Sequence, residues 1–353
     1  MEEKRLPEKQ RDLNLDFIRG LAAFLVIAVH FMMMSEFYYQ TMAGGRMYLL
    51  GCVRMAFMNC VPLFLLLSGY LCCEKKLSKG YYLGVLRVVV AYLLCSGVSV
   101  FYRWWRLGEE MSLLHAGRMV LDYSGIATGW YIEMYLGLFL LIPFLNMLWR
   151  GAESKGARKA LIVTLLVLAS LPVLVNVRYS ILPDWWKGIY PLAYYFLGAW
   201  FRTYDTRISW GKGLLGFLAA VAAGGALVYV TSRNQMFVWT EATDWAGPTV
   251  VCSACLLFLV LRQIRLDGLP GGVKWCIAKG SELSLNIYLV SWCFDNAFYP
   301  VLWEKVPDFM ARMPFFPVMT LAVYLCSAVV AQVLEWVGGW IVKGVKKPLE
   351  KLL

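Results

Sequence analysis

The apolar residues of this chain come in long runs separated by short polar punctuation. Ten runs stand out, over residues 13–34, 58–73, 82–102, 129–149, 160–177, 188–203, 211–231, 247–263, 283–302 and 314–337. A helix needs about twenty mostly apolar residues to cross a bilayer. The pattern therefore predicts an all-α fold, a polytopic membrane helix bundle of about ten transmembrane helices. Several runs are short or broken by Gly and Pro, which a bundle tolerates where neighbouring helices satisfy the freed backbone groups.

The first run, LNLDFIRGLAAFLVIAVHFMMM from Leu13 to Met34, carries Arg19 near its start and His30 near its end. Their eleven-residue separation puts them about 16.5 Å apart along a helix axis. It also returns the second side chain to within about 20° of the first, so both project from nearly one face. Asp16 lies one turn before Arg19 and is expected to pair with it. Ionisable groups at membrane depth carry a penalty of several kcal/mol on insertion scales and usually face a bundle interior or a watery cavity. The bland alternative is that Arg19 only snorkels to the headgroups. The shared face with His30, one of only two histidines in the chain, favours a functional role.

Basic residues orient the runs. The N-terminal tail and every second connection hold 22 Lys and Arg, and the alternate connections hold 10. The larger count marks the cytoplasmic side. The expected organisation is a cytoplasmic tail at 1–12, a membrane domain at 13–337 and a basic cytoplasmic tail at 338–353, with both termini inside. His30 then lies toward the outer leaflet and Arg19 toward the cytoplasm.

Composition fits this picture: 60% of residues are hydrophobic and 16% charged, against about 25% charged in soluble domains. The net charge of +11 belongs to loops that set orientation, so it does not argue for nucleic acid. Cys252 and Cys255 form C-x-x-C, but inside an apolar run without a nearby histidine, so no metal site is expected. No phosphate-cradling glycine motif for a nucleotide is present. His115 lies in SLLHAGRMVLDY, read as a short interfacial helix, and is expected at the surface.

Further polar groups sit at membrane depth. RMAFMNCVPLFLLLSGY (Arg54–Tyr70) contains Pro62 and Ser68–Gly69. GWYIEMYLGLFLLIPFLN (Gly129–Asn146) opens with the interfacial pair Trp130 and Tyr131 and places Glu133 just inside. SELSLNIYLVSWCFDNAFYP (Ser281–Pro300) buries Asn286, and its Asp295 and Asn296 are read as a helix end. An intramembrane carboxylate has a functional reading by default, which brings in Glu133.

Taken in order, these segments resemble acyltransferase family 3, the membrane-integral O-acyltransferases that acetylate bacterial surface polysaccharides. D-F-I-R-G-L-A with ten residues between the arginine and a following histidine (Asp16, Arg19, His30) is similar to that family's first helix. VPLFLLLSGYL (Val61–Leu71) resembles its VP-l-F-f-x-SG signature, GWYIEMYLGLFLLIPFLN its W-[FY]-L…Y-L…P segment and PLAYYFLGAWF (Pro191–Phe201) its Y-F-x-x-G helix. SELSLNIYLVS (Ser281–Ser291) resembles its late S-x-x-I-Y-L-x-H motif, with Ser291 where a second histidine is frequent. The family also tends to have an arginine about three residues before VP; this chain has Met58 there, and Arg54 one turn away.

The resemblance implies an enzyme that moves an acetyl group from cytoplasmic acetyl-CoA to a hydroxyl of a cell-surface or lipid-linked glycan. Imidazole titrates near neutrality and suits the removal of a hydroxyl proton. His30 is thus expected as general base, with Glu133 as the catalytic carboxylate that orients it. Arg19, held by Asp16, is expected to meet the donor's phosphates. Trp130, Tyr131, Ser68 and Asn286 are expected to bind substrate. Acetyl-CoA is the donor, no cofactor is bound tightly, and the setting is a bacterial plasma membrane with lipid around the bundle. A transporter or flippase of a glycan or small amino acid on the same membrane fold is the alternative; it needs a polar path but no basic imidazole. The topology is directly testable. A reporter fused after Leu353 is expected to be active only on the cytoplasmic side, and an externally active fusion would reverse the orientation.

Overall fold

The computed structural model describes residues 11–176 and 179–352. The expected tail at 1–12 lies outside the described residues except for Arg11 and Asp12. Twelve longer helices carry the fold: α1 (Leu13–Met34), α2 (Gly44–Phe57), α3 (Cys60–Cys72), α4 (Val85–Arg106), α5 (Leu113–Leu121), α6 (Trp130–Gly151), α7 (Lys155–Ala169), α8 (Tyr190–Thr203), α9 (Trp210–Thr231), α10 (Pro248–Leu261), α11 (Gly271–Lys305) and α12 (Phe316–Leu352). Eight segments among the described residues are long and apolar enough to cross a membrane, so the chain is a polytopic membrane bundle. The expected runs at 188–203 and 283–302 are helices but not among those eight. At 14 residues α8 is too short. In α11 apolarity is lost to a buried polar set, Ser281, Ser284, Asn286, Ser291 and Asp295, turned into the bundle. The run expected from residue 58 begins earlier, at Gly44, as a span made of α2 and α3.

Proline chemistry explains two local breaks. Pro62 cannot donate to the carbonyl four residues back, that of Met58, and the chain changes helix at Met58–Asn59. Asn59 fills the gap: its Nδ2 donates to the carbonyls of Met55 (3.2 Å) and Ala56 (2.9 Å), and its Oδ1 accepts from Ser253 Oγ at 2.8 Å. Pro143 within α6 likewise leaves the Phe139 carbonyl without its helical donor, and Tyr81 supplies one at 2.6 Å.

Two packing contacts set the bundle. The α1 and α11 helices run parallel, joined by Ser281 Oγ donating to Asp16 Oδ1 at 2.7 Å and by His30 with Asp295 at 2.8 Å. A Cβ on Gly20 would stand only 3.8 Å from the backbone at Gly280–Ser281. The α3 and α8 helices come closer still. A Cβ on Gly69 would lie 1.9 Å from the Tyr195 carbonyl oxygen, and one on Gly198 would lie 2.1 Å from that of Leu66. Only glycine permits such an approach. Along α12 the exposed rings of Trp336 and Trp340 lie 4.6 Å apart, ahead of Lys343, Lys346, Lys347 and Lys351; the helix continues through that basic segment to Leu352.

Backbone on both sides leaves no side chain to yield at Gly69. Gly69→Ala is expected to destabilise the bundle by about 1–3 kcal/mol or more, read as a lower thermal midpoint in detergent. Gly97→Ala, where a Cβ meets open space, is the control expected to unfold as the parent does.

Candidate active site

His30 lies one turn before the end of α1, and its neighbour is not Glu133 but Asp295 on α11. Nδ1 of His30 stands 2.8 Å from Asp295 Oδ2, and the residues are 6% and 1% exposed. An ionised carboxylate only accepts, so an ionised Asp295 accepts a hydrogen bond from Nδ1–H, and the neutral ring then keeps the Nε2 lone pair free. The His30 side chain lines a chamber of about 250 Å³ with Val29, Cys60, Phe64, Thr128, Trp130, Tyr131, Trp245 and Tyr288 among its walls. Among the described residues no Arg or Lys lines it. Two groups of these wall residues, Thr128 Oγ1 and Trp245 Nε1, are buried without a hydrogen-bond partner among the described residues.

One wall of the chamber is fixed from the loop between α9 and α10. Trp130 and Trp245 stack with centroids 4.5 Å apart, and the Trp245 carbonyl accepts from Tyr194 at 2.8 Å. That loop is held by Arg54, which is fully buried. Arg54 donates to the Thr243 carbonyl at 2.9 Å, and its guanidinium sits 4.8 Å from the Phe237 ring centre and 5.5 Å from that of Trp239. Lys187 ties the same loop to the segment before α8 through Glu241 at 2.7 Å. The hydrogen bond to Glu241 raises the pKa of the Lys187 ammonium above its ordinary value.

Toward the other end of α1 lies a larger cavity, of about 610 Å³, lined by Arg11, Arg19, Arg87, Ser68, Cys72, Tyr135 and Ser284 among others. It adjoins a second of about 430 Å³ that shares Arg11 and Arg19 and adds Arg202. Arg87 is paired with Glu335 and Arg11 with Asp16. Arg19 is half-buried and makes no ion pair or hydrogen bond with the described residues, so its guanidinium is available to a ligand.

The structure therefore redistributes the expected site. His30, Trp130 and Tyr131 surround one chamber, Arg19 and Ser68 the cavity beside it, and Tyr131 lines both. Asp16 does not hold Arg19. Lying about 60° from it around the helix, Asp16 turns to α11, where Ser281 Oγ donates to it, and also accepts from Arg11, just ahead of α1. Glu133 is exposed in the first turn of α6 and has no ion pair or hydrogen bond among the described residues; a carboxylate there suits the helix N-terminus. Asn286 lines neither cavity. Its Nδ2 donates to Glu335 Oε2 at 3.1 Å between α11 and α12, which makes it a packing residue. Ser291 hydrogen-bonds the Tyr288 carbonyl at 2.8 Å. His115 is exposed on α5, whose first turn is capped by Ser112. Asp295 is the residue that sequence reasoning missed. Its signal was the polar stripe Ser281, Ser284, Tyr288, Ser291, Asp295, spaced by three and four along one helix face, all of it buried.

No curated protein and no solved structure matches the chain. The profile of one domain family, described as an acyltransferase domain, matches residues 12–332. That stretch holds α1, the histidine chamber and the arginine-lined cavities, and the chain belongs to acyltransferase family 3, as a multi-pass membrane acyltransferase.

Proposed function

We propose that the protein transfers an acetyl group from acetyl-CoA to a hydroxyl of a cell-surface or lipid-linked glycan, with His30 as general base. The carrying observation is the buried His30–Asp295 pair, whose imidazole lines a chamber with no cation among the described residues of its walls, next to a cavity where Arg19 is unpaired among the described residues. Acyl transfer needs that division. The donor's phosphates require cations, whereas the reacting hydroxyl requires a neutral base. Arg19 receives the phosphates on the cytoplasmic side, and the acceptor reaches His30 from the outer side of a bacterial plasma membrane.

In the reaction Nε2 takes the acceptor's hydroxyl proton as its oxygen bonds to the thioester carbonyl carbon. The tetrahedral centre then collapses, the C–S bond breaks, and the thiolate of CoA takes up the proton held by the imidazolium. Asp295 positions the ring and offsets the charge that Nε2 acquires. The Thr128 hydroxyl and the Trp245 indole N–H are the unpartnered donors in the walls available to the carbonyl oxygen as its charge grows.

General-base catalysis supplies about 10²–10⁴-fold. His30→Ala is expected to lower acetyl incorporation from labelled acetyl-CoA into membrane glycan by at least about 10²-fold at normal protein levels. Asp295→Asn should lower kcat with the donor KM unchanged. Near-normal acetylation by His30→Ala removes the base assignment, and His30→Gln that still moves substrate across the membrane favours the transporter reading.

Arg19→Ala is expected to raise the donor KM more than the acceptor KM, and Arg19→Lys to restore only part, since an ammonium lacks the bidentate fork. Steady-state kinetics with each substrate varied in turn checks this; a rise confined to the acceptor reverses the assignment.

A further inference from the structure

The larger cavity and the His30 chamber meet without joining. Three residues line both: Phe64 on α3, Tyr131 on α6 and Tyr288 on α11. The Tyr131 ring lies 6.0 Å from that of Tyr288 at 86° and 5.8 Å from that of Phe64 at 47°. Tyr131 and Tyr288 are buried and Phe64 is half-buried. The hydroxyl of Tyr288 donates to the Thr128 carbonyl, in the turn that leads into α6. The elements between the cavities are thus side chains from three helices, and aromatic rings can swing on two torsions without moving a helix.

The chemistry on the two sides differs. Arginines line the larger cavity, and among the described residues none lines the chamber. A ligand with an anionic head and a slim neutral end would divide itself accordingly, its head held by the guanidinium groups and its end directed at the rings. We propose that Phe64, Tyr131 and Tyr288 form the selectivity constriction of the donor path. The acyl thioester passes between these rings to reach His30, the charged remainder stays with the arginines, and ring size restricts the acyl group to short chains. This rests on the acyl-transfer reading above.

The chain carries its own reporters on either side of the constriction. Cys72 lines the larger cavity and Cys60 the chamber, and Cys276 is exposed. A membrane-impermeant maleimide is applied to sealed vesicles in the orientation in which Cys72 reacts, and each thiol is followed by peptide mass spectrometry. In the wild type Cys60 should lag far behind Cys72. Tyr131→Ala and Phe64→Ala should each raise Cys60 modification while Cys72 and Cys276 keep their rates, which excludes general unfolding. Phe64→Ala, at the half-buried position, carries the test when Tyr131→Ala fails to accumulate. In the second arm, CoA release is compared for acetyl-, butyryl- and hexanoyl-CoA. Removing ring bulk should shift the hexanoyl-to-acetyl rate ratio upward by about tenfold or more, the scale on which a snug apolar site discriminates chain length.

Equal labelling of Cys60 and Cys72 in the wild type overturns the constriction. So does a Cys60 that stays protected in both variants, or an unchanged chain-length profile. A wild type that releases CoA from no thioester overturns the acyl-transfer reading instead, and the labelling arm still decides whether the rings divide the two cavities.

Discussion

The parallel register of α1 against α11 is the constraint on which the site depends. Asp16 meets Ser281 and His30 meets Asp295, the same offset in sequence at both ends of a stretch about 21 Å long. Interhelical hydrogen bonds in membranes are modest, well under about 2 kcal/mol each. Two of them in one register nevertheless exclude a slip, since moving either helix by one turn would shift Asp295 about 5.4 Å from the imidazole and break the far contact too. At Gly20 a Cβ would meet the Gly280–Ser281 backbone in ordinary van der Waals contact, at 3.8 Å.

Around that pair the remaining helices supply walls. The α3–α8 glycine contact brings Phe64 and Ser68 to a fixed depth, and α6 carries Tyr131 and Trp130 across from α11. The buried Arg54 acts at a distance, by fastening the loop whose Trp245 lines the His30 chamber. Its aromatic surroundings and the Thr243 carbonyl account for a cation with no carboxylate bound to it among the described residues. Met58 sits at the helix break that Pro62 imposes.

Much of the fold was legible because the bilayer makes apolar run length a direct measure of spanning helices. The shared face of Arg19 and His30 was legible because helical periodicity holds within one helix. What failed involved partners on other helices. Glu133 was favoured as the intramembrane carboxylate, yet it sits in the first turn of α6 facing out. Asp295 was read as a helix end, yet α11 continues ten residues beyond it to Lys305. Asp16 was assigned to Arg19 because sequence shows only the neighbour one turn away and not the Ser281 hydroxyl across the interface. Two of the ten runs, at 188–203 and 283–302, fall outside the eight segments long and apolar enough to cross a membrane, and for the second the reason is related. In α11 side chains serve the bundle interior, so its composition departs from that of a lipid-facing helix.

The length of α12 has a consequence of its own. Its 37 residues extend about 55 Å, against a hydrocarbon slab of about 30 Å. The Trp336 and Trp340 rings suit the headgroup level, which leaves the lysines beyond them on a rigid rod at the membrane surface. Each such lysine contributes about 1 kcal/mol of attraction to anionic lipid. That attraction decays within about 8 Å at physiological ionic strength. The rod thus couples the depth at which the bundle floats to the charge of the surrounding leaflet and to the salt in which it is bathed.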